Sequence, residues 1–121
     1  MTLHTLTTVN DLITQLHQTP DTIEFTSVMQ VISQSYNYTP VSFSNGTLQN
    51  AAGSNEGSCK IFHFAQLHTL SESETLYLFG RYYRDDVLAN PTGGDHANIR
   101  NFMLTGWSGI KFDGLALTPV D

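Results

Sequence analysis

The spacing of apolar residues divides the chain into helical and extended stretches. Val9, Leu12, Ile13 and Leu16 recur at helical spacing behind the capping-box-like Thr8-Val9-Asn10-Asp11, which predicts a first helix stopped before Pro20. Thr22 to Phe25 reads as a short strand, with Thr26 as the N-cap of a helix carrying Val28, Met29, Ile32 and Tyr36. One longer helix begun by Pro20 is the competing assignment. Thr39-Pro40 ends either version, because the residue before a proline avoids helical angles.

Two turn signals frame the remainder. Val41-Ser42-Phe43-Ser44 alternates apolar with polar and runs into Asn45-Gly46, a two-residue hairpin signal that sets Phe43 opposite Leu48 and Ser42 opposite Gln49. Asp113-Gly114 separates Ile110-Lys111-Phe112 from Leu115-Ala116-Leu117 in the same way, setting Phe112 against Leu115 and Ile110 against Leu117. Isolated hairpins are marginal in water, so the two are expected to share a sheet that packs on helices.

Between the hairpins the period returns to helical. Ser58 is a candidate N-cap for a helix ending near His68, and Ser71-Glu72-Ser73-Glu74 is a capping box for a helix with Leu76, Phe79 and Tyr83. After the turn Asn90-Pro91-Thr92-Gly93-Gly94, Asp95 can cap a helix with Ile99, Phe102 and Met103 inward and Gly106 at its end. The expected architecture is one α+β domain over residues 1–121, with about five helices packed on a small sheet built from two tight β-hairpins.

Composition supports a folded chain. Its 121 residues are 40% hydrophobic, 11% aromatic and 13% charged, the profile of a chain that can bury a core and unlike that of a disordered one. Residues 1–59 contain four acids and no Lys or Arg, and the rest contain seven acids against five bases, for a net charge of -6. Neither half offers a basic face, so nucleic acid is not an expected partner. No apolar run is long enough for a membrane span, so no membrane partner is expected either.

A single cysteine cannot form an internal disulfide, and the N-terminal residues lack the pattern of a secretory signal, which predicts residence in a reducing cytoplasm. The sequons at Asn37 and Asn45 then carry no meaning as glycan sites.

Candidate chemistry concentrates in two places. In NAAGSNEGSCKIFHFA, Asn50 to Ala65, a glycine-bearing loop meets Cys59, Lys60 and, one helical turn on, His63. A thiol at a helix start beside a lysine favours the thiolate, so Cys59 and His63 are the catalytic candidates; a buried apolar cysteine and a helix histidine are the structural alternative. Asp95, His96 and Arg100 form a second polar group at a helix start, as candidate ligand-binding residues with Lys60 and Trp107. A structural role for them is an Asp95 cap, an Arg100 ion pair and a Trp107 core plug. Arg81, Arg84, Asp85 and Asp86 are a further charged set at a helix end. A metal would need several of Cys59, His63, His68, Asp95 and His96 to converge, and no CxxC or HExxH spacing supports one, so neither metal nor cofactor is expected.

Four stretches taken together carry a family resemblance: YNYTPVSFSNG from Tyr36, GSCKIFHFAQLHTLS from Gly57, LFGRYYRDDVLANPTGGDHANIRNFM from Leu78 and GWSGIKFDG from Gly106. Over residues 20–117 the chain resembles the HopJ family of bacterial type III effector proteins. The resemblance implies a bacterial protein of the kind injected into host cells, and it brings no activity, cofactor or catalytic residue with it. The first ten residues, MTLHTLTTVN, hold four threonines and no Asp, Glu, Lys or Arg, a composition compatible with an export signal.

The expected function is therefore effector-like binding of a host or bacterial protein, with type III export from the bacterial cytoplasm as its extension. The alternative is a small cytosolic enzyme or ligand-binding protein with a polar pocket around Cys59, His63, His96 and Arg100.

Overall fold

The computed structural model describes residues 8–120, so the threonine-rich lead before Thr8 lies outside the described residues. Thr8 caps the first helix, α1 (Val9–Gln18), by accepting from the Asp11 N–H at 3.0 Å, and α1 buries Leu12 and Leu16. Pro20–Thr22 forms a 3-10 turn, and α2 (Phe25–Ser35) begins after Glu24. Neither the Thr22 to Phe25 strand nor a helix running on from Pro20 is present. Gln15 explains the turn, since its amide Nε2 donates to the Thr22 hydroxyl at 2.8 Å and folds the segment back on α1.

Tyr36 leaves the helix and opens β1 (Tyr36–Tyr38), followed by β2 (Phe43–Asn45) and β3 (Leu48–Asn50). The first hairpin forms, with its turn one residue later than expected and each cross-strand partner shifted by two. Phe43 faces Asn50 and Asn45 faces Leu48, which makes Gly46-Thr47 the two-residue loop. The φ of Gly46 is 63°, a conformation suited to glycine at the first position of a II′ turn. A tertiary contact selects it: the Gly46 N–H donates to the Gly109 carbonyl at 2.9 Å.

The central helix, α3 (Glu56–Leu67), buries Cys59, Ile61, Phe62, His63, Phe64 and Ala65, and is the spine of the core. The Phe62 ring meets Phe79 at 5.5 Å and Phe102 at 4.9 Å, with Phe43 on another side at 6.1 Å. Next, α4 (Glu72–Tyr77) carries the expected capping box, with Ser71 and Glu74 satisfying each other's backbone N–H groups. It stops well before Tyr83; a π-helical turn, Tyr82–Val87, follows instead. Gly80 lies between them at φ 62°, where a Cβ would come 2.7 Å from the Phe25 backbone nitrogen, so only glycine allows this approach to α2.

The last helix, α5 (Ala97–Thr105), ends at Gly106 as expected and runs into a 3-10 turn, Gly106–Gly109. The second predicted hairpin does not form. Instead β4 (Ile110–Phe112) pairs with β2, and β5 (Leu117–Pro119) pairs with β1, both antiparallel. The result is two sheets, β3-β2-β4 and β1-β5, and Asp113-Gly114 belongs to the loop that crosses between them.

Long-range contacts outweigh the local turn here, because a three-residue hairpin buries little on its own. Phe112 stacks on Phe43 at 5.2 Å, the Asp113 N–H donates to Ser42 O at 3.0 Å, and the Ser42 hydroxyl donates to the Asp113 carboxylate. The α+β class stands, with five α-helices, the π turn and five short strands among the described residues around one continuous core. Among the described residues no helix is long and apolar enough to cross a membrane.

Candidate functional site

The starts of α3 and α5 open on one pocket. Both helices are preceded by a non-glycine residue in the left-handed region, Asn55 at φ 51° and His96 at φ 54°, and no side chain caps either one. The first-turn N–H groups of a helix have no acceptor within it, so both ends present partial positive charge. The pocket between them measures about 280 Å³ and is lined by Phe25, Ser58, Tyr82, His96 and Asn98 among others.

Buried asparagines hold this arrangement. Asn45 Nδ2 donates to the Asn98 carbonyl at 2.8 Å and to Asn98 Oδ1 at 3.0 Å, and Asn98 Nδ2 donates to Asn50 Oδ1 at 2.9 Å. Asn55 Nδ2 adds a bond to Asn50 Oδ1 at 2.7 Å. These bonds tie β2 and β3 to the start of α5 and the approach to α3.

His96 stands at the rim beside two carboxylates. Its Nε2 lies 2.9 Å from Asp86 Oδ2 and 3.8 Å from Asp95 Oδ2. Three ligand-type atoms, one from each residue, lie within 4.8 Å of one another, a set that could hold a cation. The Tyr82 ring packs on the imidazole at 5.1 Å.

Arg100 grips the other side of Asp95. Its guanidinium donates to Asp95 Oδ1 at 2.6 Å, to the Asp95 carbonyl at 2.6 Å and to the Asn90 carbonyl at 2.8 Å. That hydrogen bond from Arg100 holds the Asp95 carboxyl below its usual range. Asp95 is not the cap of α5: His96 occupies that position, and Asp95 is committed to Arg100 instead. The π turn brings Asp86 into reach, a placement that no short-range sequence pattern announced.

Cys59 and His63 lie elsewhere. The helix begins at Glu56, which puts Cys59 in the second half of the first turn and not at its first position. The thiol is 1% exposed with Sγ 3.9 Å from the Val41 carbonyl, and burial pushes it up, the reverse of the shift that an exposed helix start would give. His63 is 5% exposed, packs edge-on against Phe112 at 5.0 Å, and is shifted down by burial. Lys60 is turned to the Tyr38 ring, with its Nζ 4.7 Å from the centroid. Trp107 donates from Nε1 to the Leu70 carbonyl at 3.1 Å and presses on Phe62 and Phe102.

The four residues of the expected polar pocket therefore do not share a cavity. His96 lines the pocket described above, Arg100 lines a different groove, and Cys59 and His63 line neither.

That second groove measures about 350 Å³, with Val87, Leu88, Pro91, Met103 and Leu104 around Arg100. Leu104 is 81% exposed, Leu88 46% and Met103 45%. Of the residues expected inward on α5, Ile99 and Phe102 are buried and Met103 is not, because it faces this groove. Helical spacing alone extended the buried face one residue too far.

Fold and site together define a small α+β domain with a polar pocket at two helix starts and an apolar groove alongside. The chain belongs to the HopJ type III effector protein family, whose match runs over residues 9–117. It is also similar to a solved protein described as the crystal structure of unknown function protein VPA0580. The two share 47% identity over 98% of this chain and 96% of that one, with a TM-score of 0.90. No curated protein matches it.

Proposed function

We propose that the protein acts as an effector by binding a partner protein through the apolar groove between the π turn and α5. The exposure of Leu104, at 81% and beside Leu88 and Met103, is the observation that carries this reading. Contiguous exposed apolar side chains on a small domain mark interaction sites more often than lone ones do. Arg100 is the charged residue lining the groove, and its guanidinium is engaged by Asp95.

With a net charge of -6, the chain suits a partner segment that carries a large apolar anchor flanked by Lys or Arg. The partner is a host or bacterial protein, and export from the bacterial cytoplasm into a host cell is supported by the family's description. The test uses immobilised full chain, Leu104→Asp and Leu115→Asp against bacterial and host extracts. Leu115 is 67% exposed and lies outside the groove, so it controls for general surface stickiness. A partner retained by wild type and Leu115→Asp and lost from Leu104→Asp is the expected result. No specific partner, or equal capture by all three, overturns the proposal.

A further inference from the structure

We infer that Asp86, Asp95 and His96 form a binding site for a divalent transition-metal cation at the joint between the π turn and α5, apart from the partner groove. Two ligands on a metal with bonds of about 2.1 Å stand roughly 3.0–3.4 Å apart, depending on the geometry. His96 Nε2 is 2.9 Å from Asp86 Oδ2 and 3.8 Å from Asp95 Oδ2, so small side-chain rotations bring all three into one coordination sphere. A cation there takes the place of the His96–Asp86 hydrogen bond and offsets the repulsion of two neighbouring carboxylates.

The donors select the cation class. One imidazole nitrogen with two carboxylate oxygens suits Zn²⁺, Mn²⁺, Fe²⁺ or Co²⁺, whereas Ca²⁺ and Mg²⁺ prefer oxygen alone. Each ligand is also positioned by a neighbour. Arg100 occupies Asp95 Oδ1 and leaves Oδ2 facing His96, the outer-shell contact that orients ligating carboxylates. Tyr82 supports the imidazole face, and Asn90 Nδ2 donates to the Asp86 carbonyl at 3.1 Å. The backbone agrees: His96 is held in the left-handed region, and Asp86 sits on a π turn, a feature frequent at functional sites.

All three side chains are partly exposed, which leaves the remaining coordination positions open to water or to an occupant of the adjoining pocket.

The experiment is calorimetric titration of chelator-treated full chain with Zn²⁺ and Co²⁺, with Co²⁺ absorption read alongside. Wild type should show saturable one-to-one binding. His96→Asn, which keeps a residue tolerant of the left-handed conformation, and Asp86→Asn should each weaken it by about tenfold or more. His17→Asn, on a histidine paired with Glu74 elsewhere, and Leu104→Asp should leave it unchanged. In wild type alone, Mn²⁺ should broaden backbone resonances of residues 82–87 and 95–97 first. Absence of saturable binding, equal binding by His96→Asn, or broadening centred elsewhere overturns the inference.

Discussion

Cys59 with His63, and His96 with Asp86 and Asp95, are the two regions of this protein that resemble chemistry, and they have opposite origins. The first is conspicuous in sequence, a lone thiol one turn from a histidine, and folding buries both on α3. The second has Asp86 ten residues before His96 in the chain, and folding assembles it where a π turn meets the start of α5. Proximity along a helix is cheap to arrange and says little about exposure. Convergence of polar side chains from separate segments requires the fold to hold them there.

The largest effect that would break this contrast is in the core half. Phe62→Ala on α3 should cost about 3–5 kcal/mol in urea unfolding, because its four aromatic neighbours cannot collapse onto the space left. A loss below about 1 kcal/mol would mean that α3 is not the core spine.

Beneath the pocket, Asn98→Ala removes the Oδ1 acceptor that Asn45 and Asn50 share; Asn45 keeps the Asn98 backbone carbonyl at 2.8 Å, but Asn50 Nδ2 is left with only the Phe43 carbonyl at 3.5 Å, which should cost about 1–3 kcal/mol. An unchanged urea midpoint would show that the asparagine network is not what fixes the start of α5.

Acid provides a finer test. Burial lowers the pKa of His63 and His68 below the ordinary histidine value, so the unfolded chain binds more protons than the folded one in that range. Stability should then be full above about pH 6.5 and fall as the pH drops toward the lowered folded values. His63→Phe should flatten part of that slope in denaturation curves recorded across the range. An unaltered slope would mean that burial does not disfavour the charged form of His63.

The smallest effect concerns rate alone. Alkylation of Cys59 at neutral pH should be slower in the folded protein than in urea, since burial both shields the thiol and raises its pKa. Faster reaction in the folded state would restore the activated thiol.

Much of the architecture was legible where local chemistry decides structure. Thr8 and the Ser71–Glu74 box saturate donors within one turn, Gly106 ends α5 by its own φ, and Gly46 marks a hairpin. The sequence misled where distant partners compete. Asp113-Gly114 has the local form of a hairpin turn, yet Phe43 offers Phe112 a better face than Leu115 does, and the strand pairs across the chain.

The candidate site was legible by residue type but not by assembly. Asp95, His96 and Arg100 stood out in sequence, while Asp86 looked like one charge in a helix-end set until the π turn rotated it toward His96. Leu104 gave no signal beyond being apolar, because the width of a helix's buried face depends on what packs against it.

The contrast between the two regions is tested most directly by Zn²⁺ titration of uniformly ¹⁵N-labelled protein, followed through the ring nitrogens of its histidines in one spectrum. The expected result is a saturating shift of His96 Nε2 with His63 unmoved. A shift at His63, or none at His96, would contradict the account.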